Sequence, residues 1–375
     1  MRADRVRDPW PVWPDGFTAG ERERRAALVL SALAGLRPTT LIRAAAEAPT
    51  ASACVGLVAR GALGTDEDRR FVRLLRAERI QATIDRCGAR TIVWDDPEYP
   101  PQLRQIHDPP FLLYVRGGRL PEASHAVAIV GARRCTDLAR ELARAMGRGL
   151  AAAGVTVVSG AARGVDAASH EGALDAGGPT VAVLGGGIDA TYPASSRGLF
   201  GRIRERGALV SEYPPGVPAR AFRFPARNRI VAGLCRAAVV VEGEKESGSL
   251  ITGSHALEFG REVFAVPAAL NNPLSFAPLK LIRDGATMIR GAEDLLEELG
   301  LEPGSGGRRA ELTLAELAAL RALTGPTLPE HVARELRIGL ADALTLLMEL
   351  EMRGFVRTVG GRFEATLAAT MATTG

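Results

Sequence analysis

Six short apolar runs recur between residues 126 and 266, and they constrain the fold more than any other feature of this sequence. Each run is rich in β-branched residues, and a helix-forming stretch separates it from the next. Strands buried on both faces have this composition, and repeated strand–helix units with right-handed crossovers build a parallel, doubly wound sheet. We therefore predict an α/β core with a mostly parallel sheet. The predicted strands are Ala126–Val130, Thr156–Val158, Thr180–Leu184, Ala208–Val210, Ala237–Val241 and Val263–Val266.

Short helices are predicted before this core. Residues 21–87 contain apolar stretches separated by Gly and Pro, and Phe71, Leu74 and Leu75 recur at the spacing of one helix face. A small group of such helices resembles a helix-hairpin-helix or SAM-like module. Modules of this kind either touch DNA backbones or serve for packing and protein contacts, and the sequence leaves both roles open.

A linker and a second small module are predicted after the core. Residues 300–310 are rich in Gly, which is typical of a flexible linker. Three helices and two short strands around Gly360-Gly361 then predict a winged-helix module. Its third helix carries Asp342, Glu349 and Glu351, and this negative charge suits a protein contact or a dimer at least as well as a DNA groove. The predicted domains are residues 1–90, 91–299 and 311–375, with the linker at 300–310.

Charge and cysteine usage limit the class of protein only loosely. The 375 residues carry 47 Lys and Arg against 43 Asp and Glu, so the net charge of +4 does not by itself indicate nucleic acid. Arginine provides almost all of the positive charge, which suits bidentate phosphate contacts but also follows from a GC-rich genome.

The four cysteines form no CxxC pair, which predicts no zinc site and fits a reducing compartment. No apolar run is long enough to cross a bilayer. We therefore expect a soluble cytoplasmic protein without a metal, a cofactor or a membrane partner.

The loops after the predicted strands have the composition of phosphate-binding loops. Gly131 and Gly160 each follow a strand, and an arginine comes two or three residues later. Ligands of parallel sheets bind outside the carboxyl ends of the strands, and the start of a helix offers free N–H groups and a positive dipole end to an anion. Gly185-Gly186-Gly187 permits a third close backbone approach, and Ser247-Gly248 opens a helix. We predict that phosphates bind at this edge of the sheet.

The most informative stretch lies between Arg220 and Arg229. Arginines are interleaved there with Phe222 and Phe224, in a chain that has only 5 % aromatic residues. Single-stranded nucleic acid needs positive charge for its backbone and a flat apolar face for its bases. The alternative is that at least one phenylalanine belongs to the core and that Arg227 or Arg229 forms a structural ion pair. The residues that we predict to contact DNA are Gly131, Ala132, Arg133, Arg134, Gly160, Arg163, Gly164, Arg220, Arg223, Phe224, Arg227, Asn228, Arg229, Ser247, Gly248, Ser249 and Leu250.

Patterns typical of catalysis are weak by comparison. The sequence has no Walker lysine motif and no Ser/His/Asp order. Glu212 and Glu242 are the only strand-end acids that we consider for catalysis. Asp166 is interpreted as a helix cap, and His170 as a hydrogen-bonded packing histidine. We therefore predict no catalytic residues.

Motifs in a fixed order indicate a known family. The stretches that carry the resemblance are Tyr99-Pro100, Asp108-Pro109-Pro110, Ile129–Arg133, Val158–Asp166, Val183-Leu184-Gly185, Tyr192-Pro193, Ser211–Pro214, Phe224–Ile230 and Ser247–Thr252. Together they resemble the DprA family, also called Smf, the DNA-processing proteins of natural transformation. The resemblance covers residues 99–286, and the two end modules match more loosely.

The resemblance implies an extended Rossmann-like core that binds single-stranded DNA, protects the incoming strand, dimerises and loads the recombinase RecA without catalytic turnover. It also places Arg133 at phosphates, Arg220, Arg223 and Phe224 along the path of the strand, and Ser247 to Leu250 where they close the pocket. The sequence departs from the family pattern at Ala268, Ala277 and Leu279, so we predict no contact residues there.

Two alternatives remain open at this point. Phosphoribohydrolases that resemble the LOG family share this type of core, but they pair a Gly-Gly-x-Gly-Thr loop with a glutamate on the next helix. Here Ser247-Gly248-Ser249 stands in the loop and Glu258 lies late on the helix. A winged-helix regulator that reads duplex DNA is the second alternative, and the acidic third helix argues against it.

Overall fold

The computed structural model describes residues 10–36, 38–74, 77–190, 194–301, 312–323, 325–352 and 355–365. Tyr192-Pro193 and most of the predicted linker therefore lie outside the described residues. The chain divides into two compact units, Met1–Leu301 and Glu302–Gly375.

Helices form the start of the first unit, as the sequence predicts. Residues next to each end of a helix determine where it begins and ends. In the helix Ala51–Arg60, the Thr50 side chain accepts a hydrogen bond from the backbone N–H of Ala53, and Gly61 ends the helix at a φ of +79°. Among the described residues, no single helix is long and apolar enough to cross a membrane, and only the pair α2 and α3, bent by 104°, meets that test together. The helices are α1 (Gly20–Ser31), α2 (Pro38–Glu47), α3 (Ala51–Arg60), α4 (Asp66–Leu74) and α5 (Ala77–Arg86).

These helices pack directly against the α/β core. The Trp13 indole N–H donates to the carbonyl of Pro109 at 2.8 Å, and the hydroxyls of Ser31 and Tyr114 lie 2.6 Å apart. Buried side chains of α1 and of the sheet also belong to one hydrophobic cluster. The N-terminal helices and the α/β core therefore share one hydrophobic core.

The core of the first unit is a mostly parallel sheet, which confirms the predicted fold class. Among the described residues the sheet has nine strands in the order β1-β2-β6-β5-β4-β3-β7-β8-β9. Pairing from β6 to β9 is parallel throughout, whereas β2 is antiparallel to both of its neighbours. The strands are β1 (Arg90–Val93), β2 (Leu112–Gly117), β3 (Ala126–Val130), β4 (Thr156–Ser159), β5 (Thr180–Val183), β6 (Ala208–Ser211), β7 (Ala237–Val240), β8 (Glu262–Ala265) and β9 (Thr287–Met288).

Helices connect the parallel strands, and strand order fixes where their loops meet. The chain runs from β3 outward to β6 on one side, then returns to place β7 on the other side of β3. The switch point of this doubly wound, Rossmann-like sheet therefore lies between β3 and β7. The helices are α6 (Asp137–Ala152), α7 (Val165–Asp175), α8 (Arg197–Arg206), α9 (Arg223–Gly233), α10 (Gly248–Glu258), α11 (Phe276–Arg283) and α12 (Ala292–Glu298).

The second unit has its own small core. It contains α13 (Leu314–Ala322), α14 (Pro329–Leu336) and α15 (Leu340–Met352), followed by the antiparallel strands β10 (Val356–Val359) and β11 (Arg362–Ala365). Apolar side chains from all three helices and both strands form one cluster. The assignment of this unit as a winged helix stays a prediction.

Candidate nucleic-acid interface

A pocket of about 520 Å³ opens at the carboxyl ends of β3, β4 and β5. Four of its lining residues are arginines, and the described lining residues include no carboxylate. A pocket with this lining suits an anion, because no carboxylate among its described lining residues neutralises the guanidinium groups. The lining residues are Arg133, Arg134, Gly160, Ala161, Ala162, Arg163, Leu184, Gly185, Gly186, Ala190, Ala219, Phe224 and Arg227.

Glycines allow the loops of this pocket to approach each other closely. Gly164 has a φ of +80°, and a Cβ atom there would lie 2.3 Å from the carbonyl oxygen of Ala132. A Cβ atom on Gly160 would lie 2.4 Å from the Arg227 guanidinium. The sequence predicted both positions as contact residues, and that stays a prediction. In the structure, Gly164 lets the loops after β3 and β4 approach each other, and Gly160 leaves room for the Arg227 side chain.

Three exposed arginines stand at the rim of the pocket. Arg133, Arg134 and Arg163 are exposed, and none forms an ion pair with another described residue. The Arg133 guanidinium carbon lies 4.8 Å above the ring centroid of Phe224, which is a cation–π contact. These side chains offer positive charge to a ligand without first having to break an internal ion pair.

Arg227 has a different role, although it also lines the pocket. It is buried, and its Nη1 donates to the carbonyl of Gly160 at 2.6 Å and to that of Val183. Its Nε donates to Oδ1 of Asn228 at 3.1 Å. Burial lowers the pKa of Arg227 to about 10, so the group is still charged at neutral pH. Arg227 holds the ends of β4 and β5 in place and gives the floor of the pocket a positive charge.

Arg229 does not line the pocket. It is 4 % exposed, and its Nη2 donates to Oε1 of Glu212 at 2.6 Å. Its Nε also donates to the carbonyl of Asp108 at 2.9 Å. Burial lowers the pKa of Arg229, but the neighbouring Glu212 and Asp108 outweigh it, so the pKa is raised overall. The structure thus gives Arg229 the structural ion pair that the sequence left open as the alternative.

An exposed aromatic residue extends the interface beyond the pocket. Phe222 is 64 % exposed, whereas Phe224 is half-buried beneath Arg133. The Arg223 guanidinium lies 4.9 Å from the ring of Tyr213 and 5.3 Å from that of Phe222. Arg220 is exposed and close in sequence to Phe222. Phe222 was absent from the predicted contact residues, and its place among these arginines is the signal that could have included it.

The start of α10 lies outside the described lining of the pocket. Ser247 caps the helix by accepting from the N–H of Leu250 at 3.3 Å, and its hydroxyl lies 2.9 Å from that of Ser249. Asn228 donates from Nδ2 to the carbonyl of Gly248 at 3.0 Å, which links this segment to α9. The predicted contact residues therefore fall into two groups, one around the pocket and one at the switch point.

Both strand-end acids have internal partners. Glu242 is buried at the switch point, where it accepts from the backbone N–H of Thr136 at 3.0 Å and from its hydroxyl at 2.9 Å. Asn272 also donates to it at 3.3 Å. Glu212 pairs with Arg229, as described above. The start of α6, where the sequence suggested a bound anion, thus already holds a carboxylate of the protein.

Asp166 and His170 are buried behind the pocket. The Asp166 carboxylate accepts from the N–H of Ala162 at 3.3 Å, and burial raises its pKa. His170 Nδ1 lies 2.6 Å from the hydroxyl of Thr180, and burial lowers the histidine pKa to about 3. His170 is therefore a hydrogen-bonded packing residue, as interpreted from sequence. Asp166 also supports the local structure, but its interpretation as a helix cap is wrong, because Gly164 occupies the N-cap of α7 and Asp166 lies inside the first turn.

The fold and the basic pocket define a Rossmann-like protein that is suited to phosphate-bearing ligands. A family model described as DNA recombination-mediator protein A matches residues 90–300. The chain belongs to this family, DprA/Smf, which confirms the resemblance seen in its motifs.

Individual relatives agree with this assignment. The chain is 39 % identical over 222 residues to DNA processing protein DprA of Bacillus subtilis, covering 59 % of this chain and 75 % of the relative. It is 38 % identical over 282 residues to protein Smf of Escherichia coli, covering 72 % and 75 %. The structure of DprA from Streptococcus pneumoniae matches with a TM-score of 0.63 at 30 % identity, over 74 % of this chain and 98 % of the other. A structure on the single-stranded DNA binding mode of DNA processing protein A from Helicobacter pylori matches with a TM-score of 0.51 at 28 % identity, over 56 % and 95 %.

Proposed function

We propose that this protein binds single-stranded DNA through the pocket at the ends of β3, β4 and β5 and acts as a recombination mediator. The carrying observation is the set of exposed arginines around a pocket whose described lining has no carboxylate. The single-stranded DNA binding described for the Helicobacter pylori relative supports the proposal.

The size of the pocket and its surroundings favour a strand over a free nucleotide. About 520 Å³ accommodates one nucleotide unit, which is the usual scale of a small-ligand site. Arg220 and Phe222 are exposed and stand in the chain between Ala219 and Phe224, which line the pocket, so they offer charge for a further phosphate and a ring for a base. The bases of a single strand expose their faces to a ring without the cost of opening a stacked duplex, so the proposed ligand is a single strand.

The predicted contact residues take different parts in this proposal. Arg133, Arg134 and Arg163 hold phosphates, and Gly131, Ala132, Gly160 and Gly164 bring backbone N–H groups close to them. Arg220, Arg223 and Phe224 line the path, together with Phe222. Arg227, Asn228 and Arg229 position these elements from beneath. Ser247, Gly248, Ser249 and Leu250 bind a further part of the strand at the switch point.

Binding to labelled oligonucleotides across a salt series tests the proposal. Four exposed arginines, Arg133, Arg134, Arg163 and Arg220, predict that log affinity for a single strand falls against log salt with a slope of about −2.8. The duplex of the same sequence is the matched ligand. Equal or tighter binding to the duplex would falsify the proposal.

The roles in RecA loading, strand protection and dimer formation belong to the same proposal and rest on family membership. Nucleation of RecA on DNA coated with a single-strand binding protein tests the first role, and nuclease digestion of the bound strand tests the second. Sedimentation of the chain with and without DNA tests for a homodimer. Since RecA acts in the cytoplasm, the proposal also places the protein there.

The proposal includes no catalytic turnover. Glu258, the glutamate that a phosphoribohydrolase would need at the pocket, instead lies 3.5 Å from His107 and 3.7 Å from His255. Incubation with nucleoside monophosphates checks this point, because release of free base would establish an enzyme on the same core.

A further inference from the structure

Three side chains of residue types that can bind metal ions lie close together in the first unit, outside the described lining of the pocket. His107 follows the 3-10 helix Pro101–Gln105, and His255 and Glu258 lie one turn apart on α10. The Nε2 atom of His107 lies 3.3 Å from Nδ1 of His255 and 3.5 Å from Oε2 of Glu258. The third side of this triangle, from Nδ1 of His255 to Oε2 of Glu258, is 3.7 Å.

Two of these distances match the edges of a zinc coordination tetrahedron, and the third, 3.7 Å, is slightly longer. Zinc binds histidine nitrogen at about 2.0–2.1 Å and carboxylate oxygen at about 2.0–2.2 Å, so neighbouring ligand atoms of a tetrahedron lie about 3.3–3.5 Å apart. The corresponding edge of an octahedron at the same bond lengths is about 2.8–3.1 Å. If the three side chains were only hydrogen-bonded in a row, two of the three distances would be short. Here the remaining distance, from His255 to Glu258, is also below 4 Å.

The surroundings favour a charged centre with one open side. The side chains of His107, His255 and Glu258 are 30 %, 21 % and 37 % exposed, so solvent reaches the cluster. Aromatic rings cover another side: Phe259 lies 5.1 Å from the ring of His107, and Trp10 lies 5.8 Å from it, edge to face. An apolar wall strengthens the attraction between a cation and its ligands.

We infer that His107, His255 and Glu258 form a binding site for Zn²⁺ with three protein ligands and a fourth position open to solvent. Two neutral imidazoles and one carboxylate supply the nitrogen and oxygen donors that zinc accepts. The ion would link the segment after β1 to the end of α10, and α10 begins at the switch point. The cysteine spacing gave no indication of this site, because its ligands are histidines and a glutamate, two of them separated by 148 positions.

Equilibrium dialysis of the full chain, without a histidine tag, against buffered Zn²⁺ tests the inference. We expect one equivalent of zinc per chain, measured by elemental analysis. H107N and E258Q should each lower this stoichiometry, whereas H125N should not. His125 is exposed and lies outside the cluster, so it serves as the matched control. Unchanged zinc content in both ligand variants, or no bound zinc in the wild type, would overturn the inference.

Thermal unfolding supplies a second readout. At a free Zn²⁺ concentration about a hundred times its Kd, the unfolding midpoint of the wild type should rise by about 4 °C. H107N and E258Q should show no such rise, and an equal rise would assign the ion to another site. If both variants fail to fold, the absorption spectrum of the wild type with Co²⁺ decides: tetrahedral d–d bands support the site, and their absence contradicts it.

Discussion

Two sets of arginines surround the start of α9, and their environments are opposite. Arg227 and Arg229 are buried and donate hydrogen bonds to carbonyl groups or carboxylates of the protein. Arg133, Arg134 and Arg163 are exposed and form no ion pair with described residues. The comparison shows that one residue type both builds the framework and supplies the exposed positive charge of the pocket, and that burial separates the two groups.

The largest expected effect is a loss of stability on substitution of Arg229, one of the two buried arginines. R229M leaves the Glu212 carboxylate without its cation, and removal of one partner of a buried ion pair costs about 3–5 kcal/mol. Urea unfolding of the variant should therefore show a large loss in the free energy of unfolding. The same substitution at an exposed site, R220M, should change that free energy by less than about 0.5 kcal/mol.

A double variant distinguishes the ion pair from simple packing. R229M with E212L replaces both charges by apolar side chains, and it should recover part of the lost stability. Stability as low as that of R229M alone would mean that the contacts of Arg229 with backbone carbonyls carry the effect.

We expect acid to lower the stability of the protein through His170, which is buried near Arg227. Its pKa is lowered to about 3 in the folded state by burial and by the nearby Arg227, whereas the unfolded chain takes up the proton near 6.5. Its contribution to stability is therefore complete above pH 6.5 and is lost as the pH falls towards 3. The loss amounts to about 1.4 kcal/mol per pH unit, or about 2–3 kcal/mol between pH 6.5 and 4.5.

The variant H170Q isolates this contribution. Gln has no titrating group in this range and keeps a hydrogen-bonding group for Thr180. The difference in unfolding free energy between wild type and variant, followed over pH 7 to 4.5, should shrink as the pH falls. A constant difference would mean that the pKa of the histidine is the same in the folded and unfolded states.

For the exposed set, we expect a moderate effect from F222A. The ring is 64 % exposed, so its removal should leave stability almost unchanged. If a base stacks on it, affinity for a single strand should fall by about 1–3 kcal/mol. F224A is the matched comparison, because that ring is half-buried beneath Arg133 and its removal should lower stability as well. Unchanged affinity in F222A would mean that no base stacks on Phe222.

The smallest effect belongs to a single arginine at the rim. R133A should weaken binding equally for different sequences and make the salt slope shallower by about 0.7. Titrations at four salt concentrations are sufficient to measure this change. A slope equal to that of the wild type would remove Arg133 from the phosphate contacts.

Most of the fold followed from local sequence patterns. Runs such as Ala126–Val130 are apolar on both faces, and a strand of this kind has to lie inside a parallel sheet. The antiparallel β2 and the neighbouring β1 lie at the edge beside β6, and this place depends on pairing between distant segments. Local patterns carry no information about such pairing.

The stretch from Arg220 to Arg229 contains arginines whose different roles the sequence did not predict. Arg227 and Arg229 stand two positions apart near the start of α9 and differ in the direction of their side chains. One turns to the pocket floor and the other to Glu212, which lies 17 positions earlier in the chain. Because the partners are distant in sequence, the composition of the stretch indicated charge for DNA but not which charges the protein uses itself.

The Glu242 carboxylate at the switch point has a consequence for selectivity. It acts as a built-in competitor for the helix start at which many nucleotide-binding folds hold a phosphate. A free nucleotide, whose terminal phosphate carries nearly two charges, would meet repulsion there. A phosphodiester in the interior of a strand carries only one charge. We therefore expect the Glu242 carboxylate to disfavour mononucleotides relative to a strand.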